Sequence, residues 1–360
     1  MKKIKRKITV KRVVIKRPFK RKQAAEQRVK DAFANVPNIT NETVAEHRED
    51  VLGSARKYIY PLKHSRRRAV FISSSIFIAA LVVFMTYTTV ALYRFQSTSG
   101  FLYGVTKVIP FPVAKAGKSW VSYNSYLFEL RRYTHYYTTQ QEADFTGKDK
   151  AQLDNYKQQA MQQVIDDAYV KQLAKKHGVR VSTKDVERQV QLVRAQNRLG
   201  TSERQFREVL NEFWGWDEND FKRSLQQQML TQAVVAKLDT DTVKQANDAL
   251  AQLKAGADFG TLASQVSEDM ATKANGGQYA TAIDRTDGSV PAVVATELFK
   301  LQPGQYSGVI NTGYSLEIVK VNTNTEGKVA ASHIVFEFNP ISDYLQPLKK
   351  STKPHEYIKV

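Results

Sequence analysis

The chain of 360 residues contains no cysteine. That absence excludes a disulfide scaffold, thiolate zinc sites, iron–sulfur clusters and a cysteine nucleophile. It leaves the redox compartment open, because a chain without thiols is safe in either. The six histidines, His47, His64, His135, His177, His333 and His355, do not cluster at ligand spacing, so no metal is inferred. There is no G-x-S-x-G and no phosphate-loop signature, and no cofactor is implied. Charge of either sign is missing from residues 69–93.

What is present begins with a formal net charge of +19. Residues 1–68 hold 21 Lys+Arg and 6 Asp+Glu, so +15 of it sits there. Residues 94–360 hold 33 basic and 29 acidic residues and contribute +4. The basic excess is a tail, which weakens a nucleic-acid reading of the whole protein. Hydrophobic residues at 42% and aromatics at 10% suffice for a globular core.

Residues 69–92 read AVFISSSIFIAALVVFMTYTTVAL, 24 residues without a charge. As a helix they span about 36 Å, enough for a hydrocarbon core of roughly 30 Å with some tilt. Tyr87 and Tyr93 suit an interfacial level. Arg66, Arg67 and Arg68 abut the run on one side, whereas the other offers only Arg94 before Lys107. The positive-inside rule therefore puts the N-terminus in the cytoplasm and residues 94–360 outside, on one uncleaved transmembrane helix in the cell membrane. A cleaved signal peptide fits less well, since its n-region would be 68 residues long and no A-x-A site follows.

Residues 1–30 carry 14 basic residues and one acid, Glu26. Such a segment is drawn to anionic lipid, or to the ribosome through its RNA, and also serves simply as a solvated topology determinant. No specific nucleic acid is implied. Arg131, Arg132, Tyr133, Tyr136 and Tyr137 read as an amphipathic helix end rather than a nucleic-acid patch. Residues 35–61 are polar with no strong period and read as a flexible linker.

Beyond the run, residues 94–111 read as a stalk. Next come a short strand, a turn at Ala116–Gly117, a second strand and a helix; residues 138–150 read as a loop. Leu153, Tyr156, Ala160, Met161, Val164, Ile165, Ala168, Tyr169 and Leu173 recur at helical steps, and Gly178 is a natural stop. Ser182 with Asp185, Ser202 with Gln205, and Asp217 with Asp220 mark three more helix starts. Trp214 and Trp216 read as core or loop anchors.

The pieces Ala114–Ser122, Lys176–Val190, Leu199–Leu210 and Trp216–Leu225 together resemble the N-terminal chaperone module of SurA- and PrsA-type extracytoplasmic foldases. The resemblance implies a helical cradle, over about residues 112–238, that holds unfolded polypeptide. Then LKAGADFGTLASQVSED, GGQYA, VPAVVATELFKLQPGQYSGVI and GYSLEIVKV resemble the parvulin, or PpiC-type rotamase, prolyl isomerase domain. The expected class is α+β: one transmembrane helix (69–93), a stalk (94–111), the helical module (112–238), a parvulin-like antiparallel sheet with helices (242–338) and a tail (339–360).

In parvulins two histidines pair near a Cys or Asp, beside a Met/Leu and Phe pocket for the proline ring. By resemblance, Asp269 stands at the Cys/Asp position, and Val290, Val294 and Phe299 contribute the substrate pocket. The histidine of G-x-H-I-I is missing: counting back from Lys320-Val321 puts Glu317 there, and counting forward from Gly313 puts Ser315 there. The first-strand pattern [AS]-x-H-I-L appears at Ala331–Phe336, after the domain instead of before it, with His333 as the catalytic histidine. Two readings stay open, a circularly permuted sheet and the start of a truncated second domain. Two functions also stay open: an isomerase that uses Asp269 and His333, and a holdase that only binds unfolded or proline-containing polypeptide. A membrane tether in which the basic tail is the working part is a third.

Overall fold

The computed structural model describes residues 21–34, 40–59, 62–145, 147–195, 202–285 and 288–360. Residues 1–20 of the basic tail and the start of the helical motif at Leu199 lie outside them. The chain divides into two units, residues 1–84 and 85–360.

The first unit holds α1 (Arg21–Ala34), α2 (Asn41–Ile59) and most of α3 (Leu62–Tyr93). The expected linker at 35–61 is therefore helical over α2. Thr40 and Thr43 exchange hydroxyl and N–H hydrogen bonds at its start (3.0 and 3.3 Å), and Glu42 sits in its first turn. Its apolar residues Val44, Val51, Leu52 and Tyr58 stand exposed on the surface, spread thinly among charged and polar neighbours. In α3 the stretch Arg67–Tyr93 is long and apolar enough to cross a membrane. Val70, Phe71, Ile76, Phe77 and Val83 stand exposed on it.

In the second unit α3 ends inside a core. Thr88, Ala91 and Leu92 are buried, and the Tyr123 hydroxyl donates to the Leu92 carbonyl at 2.6 Å. The expected stalk is folded: α4 (Gly100–Val108) is capped by Ser99 and buries Leu102 and Thr106. Strands β1 (Pro112–Ala116) and β2 (Ser119–Ser122) pair antiparallel around Gly117, which takes φ +56°. Then come α5 (Tyr123–Gln140), α6 (Lys150–His177), α7 (Thr183–Ala195), α8 (Glu203–Trp214) and α9 (Glu218–Leu238). The local signals explain their ends. Gly178 and Gly215 stop α6 and α8 in the left-handed conformation, Ser202 and Gln205 form a capping box, and Asp217 caps α9. Phe206, Leu210 and Trp216 are buried between α5, α7, α8 and α9. Full burial of such a side chain contributes about 1.5–3 kcal/mol.

The mixed domain starts with α10 (Thr240–Lys254), capped by Asp239, and α11 (Phe259–Val266), capped by Asp258. A short helix α12 (Ala292–Leu298) precedes β3 (Ile310–Asn311), β4 (Ser315–Thr325) and β5 (Lys328–Glu337), in sheet order β3-β4-β5, all antiparallel. The β4–β5 turn is two residues, Glu326 (φ 51°) and Gly327 (φ 78°), the left-handed pair that suits a tight hairpin. The strand period of two divides the residues cleanly. Leu316, Ile318, Ile334 and Phe336 face α10 and α11, whereas Val319, Val321, Val329 and Ala331 face α12.

Residues 339–360 are not a loose tail. Helix α13 (Ile341–Ser351) buries Leu345 in the helical module's core, and β6 (His355–Glu356) pairs with β1. Ile358 joins the same core. The mixed domain is thus inserted between α9 and α13 of the helical module.

Candidate functional site

Strand β5 carries the site. On one side β4 pairs with it, Val319 opposite His333 and Glu317 opposite Val335. On the other side residues 267–283 run along it without forming a regular strand. The Glu268 N–H donates to the Val335 carbonyl (2.8 Å), the Val335 N–H to the buried Ser267 hydroxyl (3.1 Å), and the His333 N–H to the Gly277 carbonyl (2.8 Å). Gly277 has φ +75°, and a Cβ there would lie 2.0 Å from the His333 carbonyl oxygen, so only glycine lets this backbone approach. These contacts fix Asp269 against His333.

The side chains follow. His333 Nε2 lies 2.8 Å from Asp269 Oδ2 and 2.9 Å from Thr272 Oγ1. The Thr272 hydroxyl donates to Asp269 Oδ2 at 2.5 Å, and the Ala271 N–H to Asp269 Oδ1 at 3.1 Å. Burial alone would raise the Asp269 pKa, but the hydrogen bonds from Thr272, Ala271 and His333 override it and hold the carboxyl below its ordinary value. Across the ring, His333 Nδ1 faces Glu317 Oε2 at 3.5 Å, and the Ser315 hydroxyl donates to Glu317 Oε1 at 3.2 Å. Tyr279 covers the ring, with centroids 4.2 Å apart. Burial, then the charges of Glu317 and Asp269, push its phenol far above the usual range. The result is an imidazole held between two carboxylates. His333 and Glu317 are nearly buried, while Asp269 keeps about a quarter of its side chain exposed (27%).

Asp269 and His333 are therefore together, as the sequence led us to expect. The expected pocket is not. Val290 and Val294 are 2% and 0% exposed, because Val294 on α12 and Val290 just before it both pack into the cluster with Val319, Val321 and Ala331. Phe299 is half-buried at the edge of that cluster, with the Arg285 guanidinium 4.6 Å from its ring centre. The sequence reading missed Thr272 and Tyr279. A threonine three residues after an aspartate and a tyrosine two residues after Gly277 were the available signals.

A second candidate is a cleft of about 900 Å³ lined by α5, α6, α9 and Tyr314. Its charged walls include Glu129, Arg132, Asp167, Lys171 and Arg223. Arg132 pairs with Glu129 at 2.9 Å. Burial raises the pKa of both Glu129 and Asp167, and each acid lies close enough to basic groups for their charge to oppose the rise.

Residues 62–235 match the family described as the SurA-like N-terminal domain, and residues 229–323 the family described as the PPIC-type PPIASE domain. Over 103 residues the chain is 33% identical to a foldase protein PrsA of Pediococcus pentosaceus. The chain is SurA/PrsA-like and carries a parvulin-type domain. That stretch is 28% of this chain and 33% of the relative, so the chain spans about a third of the length of the curated protein it matches. A crystal structure of foldase protein PrsA from Streptococcus pneumoniae is 17% identical, over 66% of this chain and 84% of that one, at a TM-score of 0.20. In this parvulin-type domain the residue facing the second ring nitrogen of His333 is Glu317, and Ser315 is hydrogen-bonded to it. Both positions reached by counting for the missing histidine thus contribute to one carboxylate.

Proposed function

We propose that this protein is a membrane-anchored, extracytoplasmic prolyl cis–trans isomerase and chaperone for exported polypeptides. Asp269 and His333 form the catalytic site and Phe299 the exposed part of the proline contact. The observation that carries this reading is the Asp269–His333–Glu317 cluster, half-closed by Tyr279, on a rotamase-type domain. Isomerisation makes and breaks no bond; the barrier of about 18–20 kcal/mol is amide resonance. As the amide twists, its nitrogen regains a lone pair and the carbonyl loses polarity. A half-buried site with few waters disfavours the planar, charge-separated form, and a donor beside the nitrogen stabilises the twisted one. Asp269, ionised at neutral pH, orients His333 and Thr272 beside the amide, and in the twisted state one of their hydrogen bonds to its carboxylate is exchanged for one to the amide nitrogen.

The late strand β5 takes the place of the family's first strand in this reading, a circular permutation supported by its pairing with β4. The charged cleft of the helical module holds the extended client. Residues 69–93 form the anchor, with the basic tail in the cytoplasm and residues 94–360 outside.

A protease-coupled peptide assay on the full chain in detergent tests the enzyme claim. A proline-dependent acceleration abolished by His333→Gln is expected; a rate equal to the uncatalysed one ends it. The second reading, binding without isomerisation, is favoured by the burial of Val290 and Val294, which leaves Phe299 without partners from that pair on an accessible surface. Suppression of client aggregation without acceleration would select it. Protease added outside intact cells tests the topology: it should remove 94–360 and spare the basic tail.

A further inference from the structure

The run of 24 uncharged residues is longer than a hydrocarbon core needs. About 36 Å of helix against roughly 30 Å leaves about four residues at the level of the headgroups. At the C-terminal end of the run those are residues 89–92, and Ala91 and Leu92 among them are buried in the helical module, as is Thr88 just before them. The last turn of the apolar run therefore already belongs to the module's core.

Helix α4 follows after six residues, and the connector is folded back on the end of α3. The Phe95 N–H donates to the Val90 carbonyl (3.2 Å) and the Ser97 N–H to the Ala91 carbonyl (3.0 Å). One face of α4, Leu102 and Thr106, belongs to the module. The opposite face carries Phe101, Gly104 and Val108 at helical spacing. Phe101 is 61% and Val108 83% exposed, and Phe95 in the connector is 74% exposed. Arg94 and the exposed Lys107 flank this stripe. Apolar and aromatic side chains beside cations, one turn past an apolar run, match the chemistry of an anionic bilayer surface.

We propose that the α4 stripe and Phe95 lie in the headgroup region of the membrane and hold the helical module against it. The inference rests on the anchoring reading above. The absence of cysteine makes the test clean. Single-cysteine variants Ser74→Cys, Phe101→Cys, Val108→Cys and Lys254→Cys are labelled with an environment-sensitive fluorophore. Each full chain is reconstituted in phosphatidylcholine–phosphatidylglycerol vesicles and quenched with a lipid-borne nitroxide or aqueous iodide. Positions 101 and 108 should show at least about twofold stronger lipid quenching than 254, and correspondingly weaker iodide quenching. Strong lipid quenching at 74 with iodide access at 101 and 108 overturns the proposal and leaves the anchor standing. Shielding of 101 and 108 from both quenchers means that protein covers the stripe, and also overturns it. No lipid quenching at 74 removes the anchor, and the proposal with it.

Discussion

Two regions of this protein bury carboxylates and treat them in opposite ways. At the parvulin-type site Asp269 receives hydrogen bonds from Thr272, the Ala271 N–H and His333, and its pKa falls. In the cleft of the helical module Glu129 and Asp167 are more deeply buried, and burial raises theirs. The first site supplies its own donors from neighbouring backbone and side chains. In the second, Arg132 on Glu129 and the Gln163 amide on Asp167 oppose the effect of burial without cancelling it.

The sharpest way to break this comparison is at Gly277. Gly277→Ala forces a Cβ onto the His333 carbonyl at a positive φ, backbone against backbone. The expected loss is about 3 kcal/mol or more by urea unfolding, with the site dismantled. A loss under about 1 kcal/mol would show that the 267–283 segment does not hold β5. His333→Gln should leave Glu317 short of a partner, costing about 1–3 kcal/mol, and lower proline-isomerising kcat/KM by about tenfold or more.

The pH dependences should then diverge. The folded pKa of Asp269 is depressed, so its contribution is present above the unfolded value near 3.9 and fades as pH falls through the lower folded value. Asp269→Asn should therefore be less stable than the parent at pH 7 and converge with it in acid. For Asp167 the folded pKa is raised, so the ionised form lowers stability at neutral pH, and that penalty fades as pH falls through the folded and then the unfolded value. Asp167→Asn should be modestly more stable at pH 7 and lose its advantage in acid. Denaturant melts at several pH values check both, and matching slopes for the two variants would erase the contrast. The smallest effect is expected at Tyr314, an exposed residue whose hydroxyl accepts from Gln228. Tyr314→Phe should change stability by under about 0.5 kcal/mol.

The helical module was readable because its signals are local. Ser202, Gln205, Gly178 and Asp217 act within one turn, and the stripe from Leu153 to Leu173 needs only a period. The Asp269–His333 pair was readable through family patterns at both ends of the domain. Glu317 and Tyr279 meet the His333 ring only through the register of β4 with β5 and the close approach at Gly277, which no spacing along the chain encodes. Val290 and Val294 carry the right side chains for a pocket or a core, and only the packing of α12 decides between them. Helix α2 escaped notice because Val44, Val51, Leu52 and Tyr58 are few among many charged residues and none of them enters a core. The C-terminal segment did so although Ile341, Tyr344, Leu345 and Leu348 recur at helical steps, because Pro347 stands inside that short helix and a two-residue strand has no period.

The return of the chain to the helical module has a consequence for synthesis. Leu345, Ile358 and the strand β6 complete a core whose other members, from Leu92 to Val234, emerge from the ribosome far earlier. Translation at about 5–20 residues per second delivers the whole mixed domain in the interval. The inserted domain, with its own sheet and helices, is therefore able to close first, while the module that precedes it waits for its last strand. Folding would then run against the usual N-terminal-first order, and a nascent chain stalled before residue 341 should carry a finished parvulin-type domain on an unfinished helical module.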